Sequence, residues 1–148
     1  MRIAAASLTD LDALTSLFAA YLRFYNEDKS PAAIEGFLAA RLRADDSAVF
    51  IARNDSGLAL GFVQLYPFFA SLALAPAWLL SDLYVAEHAR RQGVGEALMQ
   101  AARAHAEATG ACGLMLETAK TNLAGQALYE RLGYVRDDVF YTYWLGLT

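Results

Sequence analysis

The stretch Arg90-Arg91-Gln92-Gly93-Val94-Gly95, with Glu96 after it, joins an apolar run ending at Val85 to a segment of helical periodicity. A phosphate group wants backbone N–H donors at a helix start and no side chains in its way. Gly93 and Gly95 remove two side chains, and the following helix supplies the positive end of its dipole. Arg90 and Arg91 add charge beside the turn. The plain alternative is a strand-to-helix loop that happens to contain glycines, but the arginines and the strand–turn–helix context favour an anion site. A dinucleotide fingerprint fits poorly: Leu98 occupies the place of its third small residue, and the chain covers eight residues from Val85 to Gly93. Glu117, at the end of the next strand, keeps that rival as a minor one by resembling a ribose-binding acid. The Gly-Lys-Ser/Thr of a nucleoside triphosphate loop is absent.

Other reactive residue types carry less. Asp82 lies inside an otherwise apolar strand beside Ser81, where an unpartnered carboxylate is costly, so it needs a partner or a purpose. Cys112, between Ala111 and Gly113, reads as a small buried residue rather than a nucleophile. His105 falls on the margin of an apolar stripe, and His88 in the loop before the phosphate turn. Two distant histidines and one cysteine have no metal-ligand spacing, so no metal is expected.

The elements that must position these residues follow from periodicity. Arg2 to Ala6 is an opening strand. Thr9 and Asp12 resemble a capping box for a helix from about Asp10 to Phe24, with Leu11, Leu14, Leu17, Phe18, Tyr21 and Leu22 as its stripe. Ser30-Pro31 starts a second helix with Ile34, Phe37, Leu38 and Leu42 on its apolar face. Strands are predicted at Ala48 to Arg53, Leu58 to Tyr66 and Pro76 to Val85, with a turn at Asn54 to Gly57. A helix from about Gly95 to Thr109 buries Val94, Ala97, Leu98, Ala101 and Ala108, and Gly110 ends it. A strand at Gly113 to Thr118, a helix at Asn122 to Leu132 and a last strand at Val139 to Leu145 complete the order. The segment from Pro76 to Thr118 is one strand–helix–strand unit, which requires a parallel pair and a right-handed crossover. The preceding hairpin is antiparallel, so the sheet is mixed.

The 148 residues suit one domain, with 57% hydrophobic and 19% charged residues giving a well-packed core. A net charge of −4 disfavours a nucleic-acid partner and is compatible with a cationic acceptor. With a single cysteine no intrachain disulfide can form, so a reducing, cytoplasmic location is expected. The N-terminus lacks a signal-peptide pattern. Between Asp55 and Asp82 no residue is charged, which raises the question of a membrane span. Gly61, Gln64, Pro67, Ser71 and Pro76, and flanks without basic clusters, favour two buried strands instead.

Leu79-Leu80-Ser81-Asp82-Leu83-Tyr84-Val85, Arg90-x-x-Gly93-x-Gly95, and Asn122-x-x-Gly125-Gln126-Ala127-Leu128-Tyr129-Glu130-Arg131-Leu132-Gly133-Tyr134 together resemble the GNAT N-acetyltransferase superfamily, over about Gly61 to Leu145. The resemblance implies an α/β (α+β) GNAT fold. Its twisted mixed sheet would have about six to seven strands flanked by helices, splayed apart between the parallel strands ending near Val85 and Thr118. It implies acetyl-CoA (coenzyme A) as co-substrate. Leu83, Tyr84 and Val85 would offer backbone groups to the pantetheine arm and thioester. Arg90, Arg91, Gln92, Gly93, Val94, Gly95 and Glu96 would wrap the pyrophosphate. Asn122 would meet the pantetheine arm, Gly125 would allow close approach, and Arg131 would reach the phosphate end. Tyr129 would protonate the departing sulfur.

Asn122 and Tyr129 are seven residues apart, nearly two helical turns, which puts them on one face. A phenol with a pKa of about 10 is a reasonable proton donor to a thiolate whose acid has about 8.5. The acceptor amine must lose a proton, and Asp82 is the best candidate base, although capping loop N–H groups or pairing an arginine would equally explain it. Tyr129 packed in the core is the alternative to its catalytic role. Glu27, Asp28 and Glu35 lie in the region that overhangs the acceptor site in the resembled family. With the aromatics Tyr66, Phe68, Phe69, Trp78 and Tyr84 they suggest a small amine or amino-compound acceptor. The competing functions are a non-catalytic acyl-CoA-binding or sensory domain, and acetylation of a protein N-terminus or lysine. Phe140, Tyr141, Tyr143 and Trp144 offer either core or the surface of a homodimer.

Overall fold

The computed structural model describes residues 1–148, which divide into two compact units, Met1–Glu117 and Thr118–Thr148. The first unit runs β1 (Arg2–Ala5), α1 (Leu11–Phe24), α2 (Pro31–Ala44), β2 (Ala48–Arg53), β3 (Ala59–Ala70), β4 (Ala75–Val85), α3 (Val94–Ala108) and β5 (Leu114–Leu116). The second contains α4 (Leu123–Arg131).

The strands form one five-stranded sheet in the order β1-β2-β3-β4-β5, antiparallel except for the β4–β5 pair. The mixed sheet and its parallel crossover are as expected, but the strand number is five rather than six or seven. Val139 to Leu145 forms no strand. The uncharged run between Asp55 and Asp82 is accounted for by β3 and β4, and no helix is long and apolar enough to cross a membrane.

Two of the helices cover opposite faces of the sheet. Along β3, Phe62 is packed between Phe18 and Tyr21 of α1. On the other face, a side chain at Gly61 would meet the Tyr84 carbonyl oxygen at 2.5 Å and Leu98 of α3 at 3.3 Å. Glycine is therefore required for β3, β4 and α3 to pack this closely. Phe62, Val63 and Leu65 of β3, Leu98 and Met99 of α3, and Leu14 of α1 are all essentially inaccessible and form the core.

Local signals mostly act where expected, with shifts that have physical causes. The cap before α1 uses Ser7 and Asp10, not Thr9 and Asp12: the Ser7 N–H donates to the Asp10 carboxylate at 2.9 Å. Arg53 of β2 holds that same carboxylate at 2.8 Å, and a tertiary ion pair outweighs the purely local choice. Ser30 caps α2 as read, accepting from the Ala33 N–H at 3.1 Å. Phe37 leaves the apolar stripe for the surface, where the Arg41 guanidinium stacks over it at 5.3 Å. On α3 the buried positions are Val94, Leu98, Met99, Ala102 and Ala106, whereas Ala108 is exposed.

Pro67 does not end its strand, because β3 and β4 continue as a long hairpin with Pro67 opposite Trp78. The Trp78 N–H turns the other way, donating to the Gly113 carbonyl at 3.1 Å, so at that pair no N–H from Pro67 is required. Cys112 is exposed rather than buried, since β5 begins two residues later at the sheet edge.

Candidate functional site

β4 is longer than the strand beside it. Its parallel pairing with β5 covers only Trp78 to Leu80, and β4 then runs on to Val85. Ser81, Asp82, Leu83, Tyr84 and Val85 therefore have no strand on the β5 side, which is the expected separation of the parallel strands. The register with β3 slips at the same place. Gln64 lies opposite Asp82 and Leu65 opposite Leu80, leaving Ser81 as an extra residue. Such a bulge re-aims the strand that follows it. Nothing in the local sequence announces it, since two apolar strands can pair with or without one.

From Val85 the chain makes a short helical turn at Glu87–Ala89 and reaches the start of α3. Arg91, with φ +63°, and Gly93, with φ +79°, both take left-handed backbone, and Gly93 caps α3. The first N–H groups of a helix have no acceptor within it, so those at Val94, Gly95 and Glu96 are offered at this turn. Arg91, Gln92 and Gly93 are exposed there, while Val94 is anchored in the core.

The two arginines do different things. Arg90 folds back on the strand: its Nε donates to the Val85 carbonyl at 3.2 Å, and its guanidinium lies 5.7 Å from the rings of both Tyr84 and Phe24. Arg91 has no such attachment, and its exposed charge remains available to an anion. Gln92 braces the turn, its Nε2 donating to the His88 carbonyl at 3.3 Å.

Asp82 is half-buried, and its partner is neither a loop N–H nor an arginine. The Gln64 Nε2 donates to its carboxylate at 3.0 Å. Gln64 is 1% exposed and its Oε1 accepts no hydrogen bond, so the buried amide acts through its Nε2. Tyr66, two residues along β3, is pushed up to about 12 by burial and by the Asp82 charge, with Asp46 adding to the rise and Arg41 and the Gln64 amide opposing it. Its hydroxyl therefore stays protonated near neutral pH. Gln64 and Tyr66 are the polar neighbours of Asp82 that sequence spacing could not reveal, because the β3–β4 register creates the cluster.

The second unit carries the remaining candidates. Asn122 stands at the N-cap of α4 rather than inside it. Its Oδ1 accepts from the Gly125 N–H at 3.1 Å, and its Nδ2 donates to the Thr118 hydroxyl at 3.0 Å. A side chain at position 125 would collide with this carboxamide, so the absence of a Cβ at Gly125 lets Asn122 close the helix start. Tyr129 is half-buried in α4 with its ring centroid 6.3 Å from that of Tyr134, and Arg131 is exposed in the last turn.

The five-stranded mixed sheet, in which β4 runs on past β5, thus sets an open strand edge before a left-handed glycine turn and a helix start. The chain belongs to the acetyltransferase (GNAT) family, whose model matches residues 11–134. It is similar over 147 residues, at 38% identity, to the uncharacterized N-acetyltransferase YhfO of Bacillus subtilis (strain 168), covering 99% of this chain and 98% of that one. It is 30% identical over 110 residues to an aminoglycoside N(6')-acetyltransferase type 1 of Serratia marcescens, covering 71% of this chain and 75% of the other. Among solved structures, a probable acetyltransferase superposes with a TM-score of 0.94 at 41% identity, covering 100% of this chain and 99% of that one. The protein is thus an enzyme of the acyltransferase class.

Proposed function

We propose that the protein is a single-domain, acetyl-CoA-dependent N-acetyltransferase that moves the acetyl group to a primary amine of a small molecule by direct attack in a ternary complex. The observation that carries this reading is the coincidence, within the first unit, of the unpaired β4 edge at Leu83 to Val85 with the N–H groups and the Arg91 charge at the start of α3. The turn suits a pyrophosphate. The free strand edge suits the amide groups of a pantetheine arm, which hydrogen-bond as an added strand would. Asn122, Tyr129 and Arg131 are assigned on the family resemblance, with Arg131 toward the phosphate end.

Acetyl-CoA supplies an activated thioester. The amine nitrogen bonds to its carbonyl carbon, the C–S bond breaks, and no covalent enzyme intermediate is needed. In this reading Asp82, held by Gln64, takes the proton lost by the ammonium, directly or through water, and Tyr129 gives one to the departing sulfur. A small amine acceptor agrees with the relative named for aminoglycosides. An uncharged acceptor nitrogen is needed, and a half-buried carboxylate beside the strand opening is well placed to produce it.

The test is acetyl-CoA-dependent thiol release with a panel of aminoglycosides, polyamines, amino acids and peptides. Turnover with small amines is expected. Tyr129→Phe should lower kcat by about a hundredfold, the lower end of the usual range for a lost proton donor, and leave the cofactor Kd unchanged. Acetylation of peptides alone would replace the small-molecule reading with protein acetylation. Cofactor binding without turnover on any amine would leave a binding domain.

A further inference from the structure

Arg90 belongs to the glycine turn by sequence, yet its guanidinium is turned back onto the ends of β4 and α1. Its Nε donates to the Val85 carbonyl at 3.2 Å. Its charge lies 5.7 Å from the rings of Tyr84, near the end of β4, and of Phe24, the last residue of α1. The rings continue the bridge between the two elements. Tyr21 of α1 meets Tyr84 at 6.0 Å and Tyr25 at 5.2 Å, and Tyr25 meets Phe24 at 5.3 Å. A planar guanidinium can donate in its plane while it stacks through its faces, which an ammonium cannot do.

The Val85 carbonyl that Arg90 occupies is part of the open β4 edge. In an antiparallel ladder, opposed residues alternate between pairs that exchange hydrogen bonds and pairs whose N–H and C=O groups point outward. The Ala86 N–H donates to the Leu60 carbonyl at 2.8 Å, which makes Leu60 and Ala86 a bonded pair. By alternation Phe62–Tyr84 and Gln64–Asp82 are bonded pairs as well. Leu83 and Val85 therefore turn their N–H and C=O groups away from β3, to the side where β5 has already ended. Of those four groups, Arg90 takes the Val85 carbonyl. The edge keeps a donor and a carbonyl at Leu83 and a donor alone at Val85.

We infer that Arg90 is a positioning residue and not a phosphate ligand: it closes the last carbonyl of the open edge and fastens the final turn of α1 to β4. On the acetyl-CoA reading, on which the docking half of this assignment rests, the amides of the pantetheine arm can meet Leu83 in both directions. At Val85 the arm must present an oxygen. An arm slipped along the edge would set an N–H against that lone donor, so the covered carbonyl selects one register by penalising the others. Arg91 is then the arginine left to pair with a phosphate.

Lysine separates the two roles, because it keeps the charge and loses the planar fork. Arg90→Lys should be as defective as Arg90→Gln, with kcat lowered by about tenfold or more through a misplaced thioester. At position 91 the pattern should reverse: Arg91→Lys should bind acetyl-CoA nearly as the parent does, and Arg91→Ala should bind it weakly. In the free enzyme, hydrogen exchange at the Tyr25 amide, which closes the last turn of α1, should quicken about two- to fivefold in Arg90→Lys. Phe24→Leu should reproduce that change and add nothing to Arg90→Lys. Arg90 and Phe24 are both exposed, so the variants should fold as the parent does, with circular dichroism as the check. Parent-like kcat in Arg90→Lys beside a loss in Arg90→Gln would make Arg90 a phosphate partner and overturn the inference. Unchanged exchange at Tyr25 would overturn the bridge to α1. A parent that binds no acetyl-CoA would sink the cofactor reading, and with it only the docking half.

Discussion

β4 and the C-terminal tail are both runs of aromatic and aliphatic residues, yet one is a strand within the sheet and the other is exposed. Ala75–Val85 is paired along its length with β3 and over three residues with β5. Tyr141–Leu147 has equally suitable side chains but belongs to no strand. The difference shows that strand-forming composition is only permission. Pairing makes the strand, because side-chain burial and ladder hydrogen bonds come together or not at all.

The sharpest way to test that contrast is to remove one aromatic from each region. Phe62→Ala, beside β4, empties a site that is 1% exposed and should cost about 3–5 kcal/mol in urea unfolding. Tyr141→Ala in the tail, which is 89% exposed, should change stability by less than about 0.5 kcal/mol. Equal losses at the two positions would erase the distinction.

Gly61→Ala probes the close approach that β4 tolerates and the tail lacks. The added methyl would press on the Tyr84 carbonyl and on Leu98, and overpacking of this kind should cost about 1–3 kcal/mol, readable as a lower urea midpoint. A neutral result would mean that β3 and β4 can separate locally.

Gln64→Leu separates structure from chemistry within β4. It removes the bond to Asp82 but also the buried Oε1 that accepts nothing, so stability should shift by less than about 1 kcal/mol. If Asp82 is the base, kcat/KM should fall while the thermal midpoint holds. Equal kcat/KM in the variant and the parent would remove Asp82 from that role or Gln64 from its support.

The smallest expected effect concerns pH. Burial raises the Asp10 carboxyl, but the Ser7 N–H and the Arg53 guanidinium, with Arg2, outweigh it and leave the group below the usual aspartate range. A depressed carboxyl contributes stability above its unfolded pKa, and that contribution is lost as pH falls through the folded value. Asp10→Asn should therefore flatten the acid limb of the stability profile. An unchanged limb would show that the Asp10–Arg53 pair contributes nothing measurable.

Much of the candidate site was legible because it is local. Arg90 to Gly95 is a contiguous turn whose glycine, left-handed backbone and helix start all sit within a few residues, so composition and order suffice. Asn122 and Gly125 form a cap of the same kind. The Asp82–Gln64 contact was not legible: the two are eighteen residues apart in sequence, and the bulge at Ser81 sets which β3 residue faces the carboxylate. Nor was the division of labour between Arg90 and Arg91, because Arg90 finds its partners in Val85, Tyr84 and Phe24.

By itself the sequence determined every element type except the last expected strand, the parallel crossover from β4 to β5, and the glycine turn. Those features follow from side-chain periodicity and from backbone preferences of neighbouring residues. Only the tertiary structure decided the number of strands, the bulge, the length of the open β4 edge and the exposure of the tail. Each of these depends on which distant edge a segment meets, and no local pattern records that.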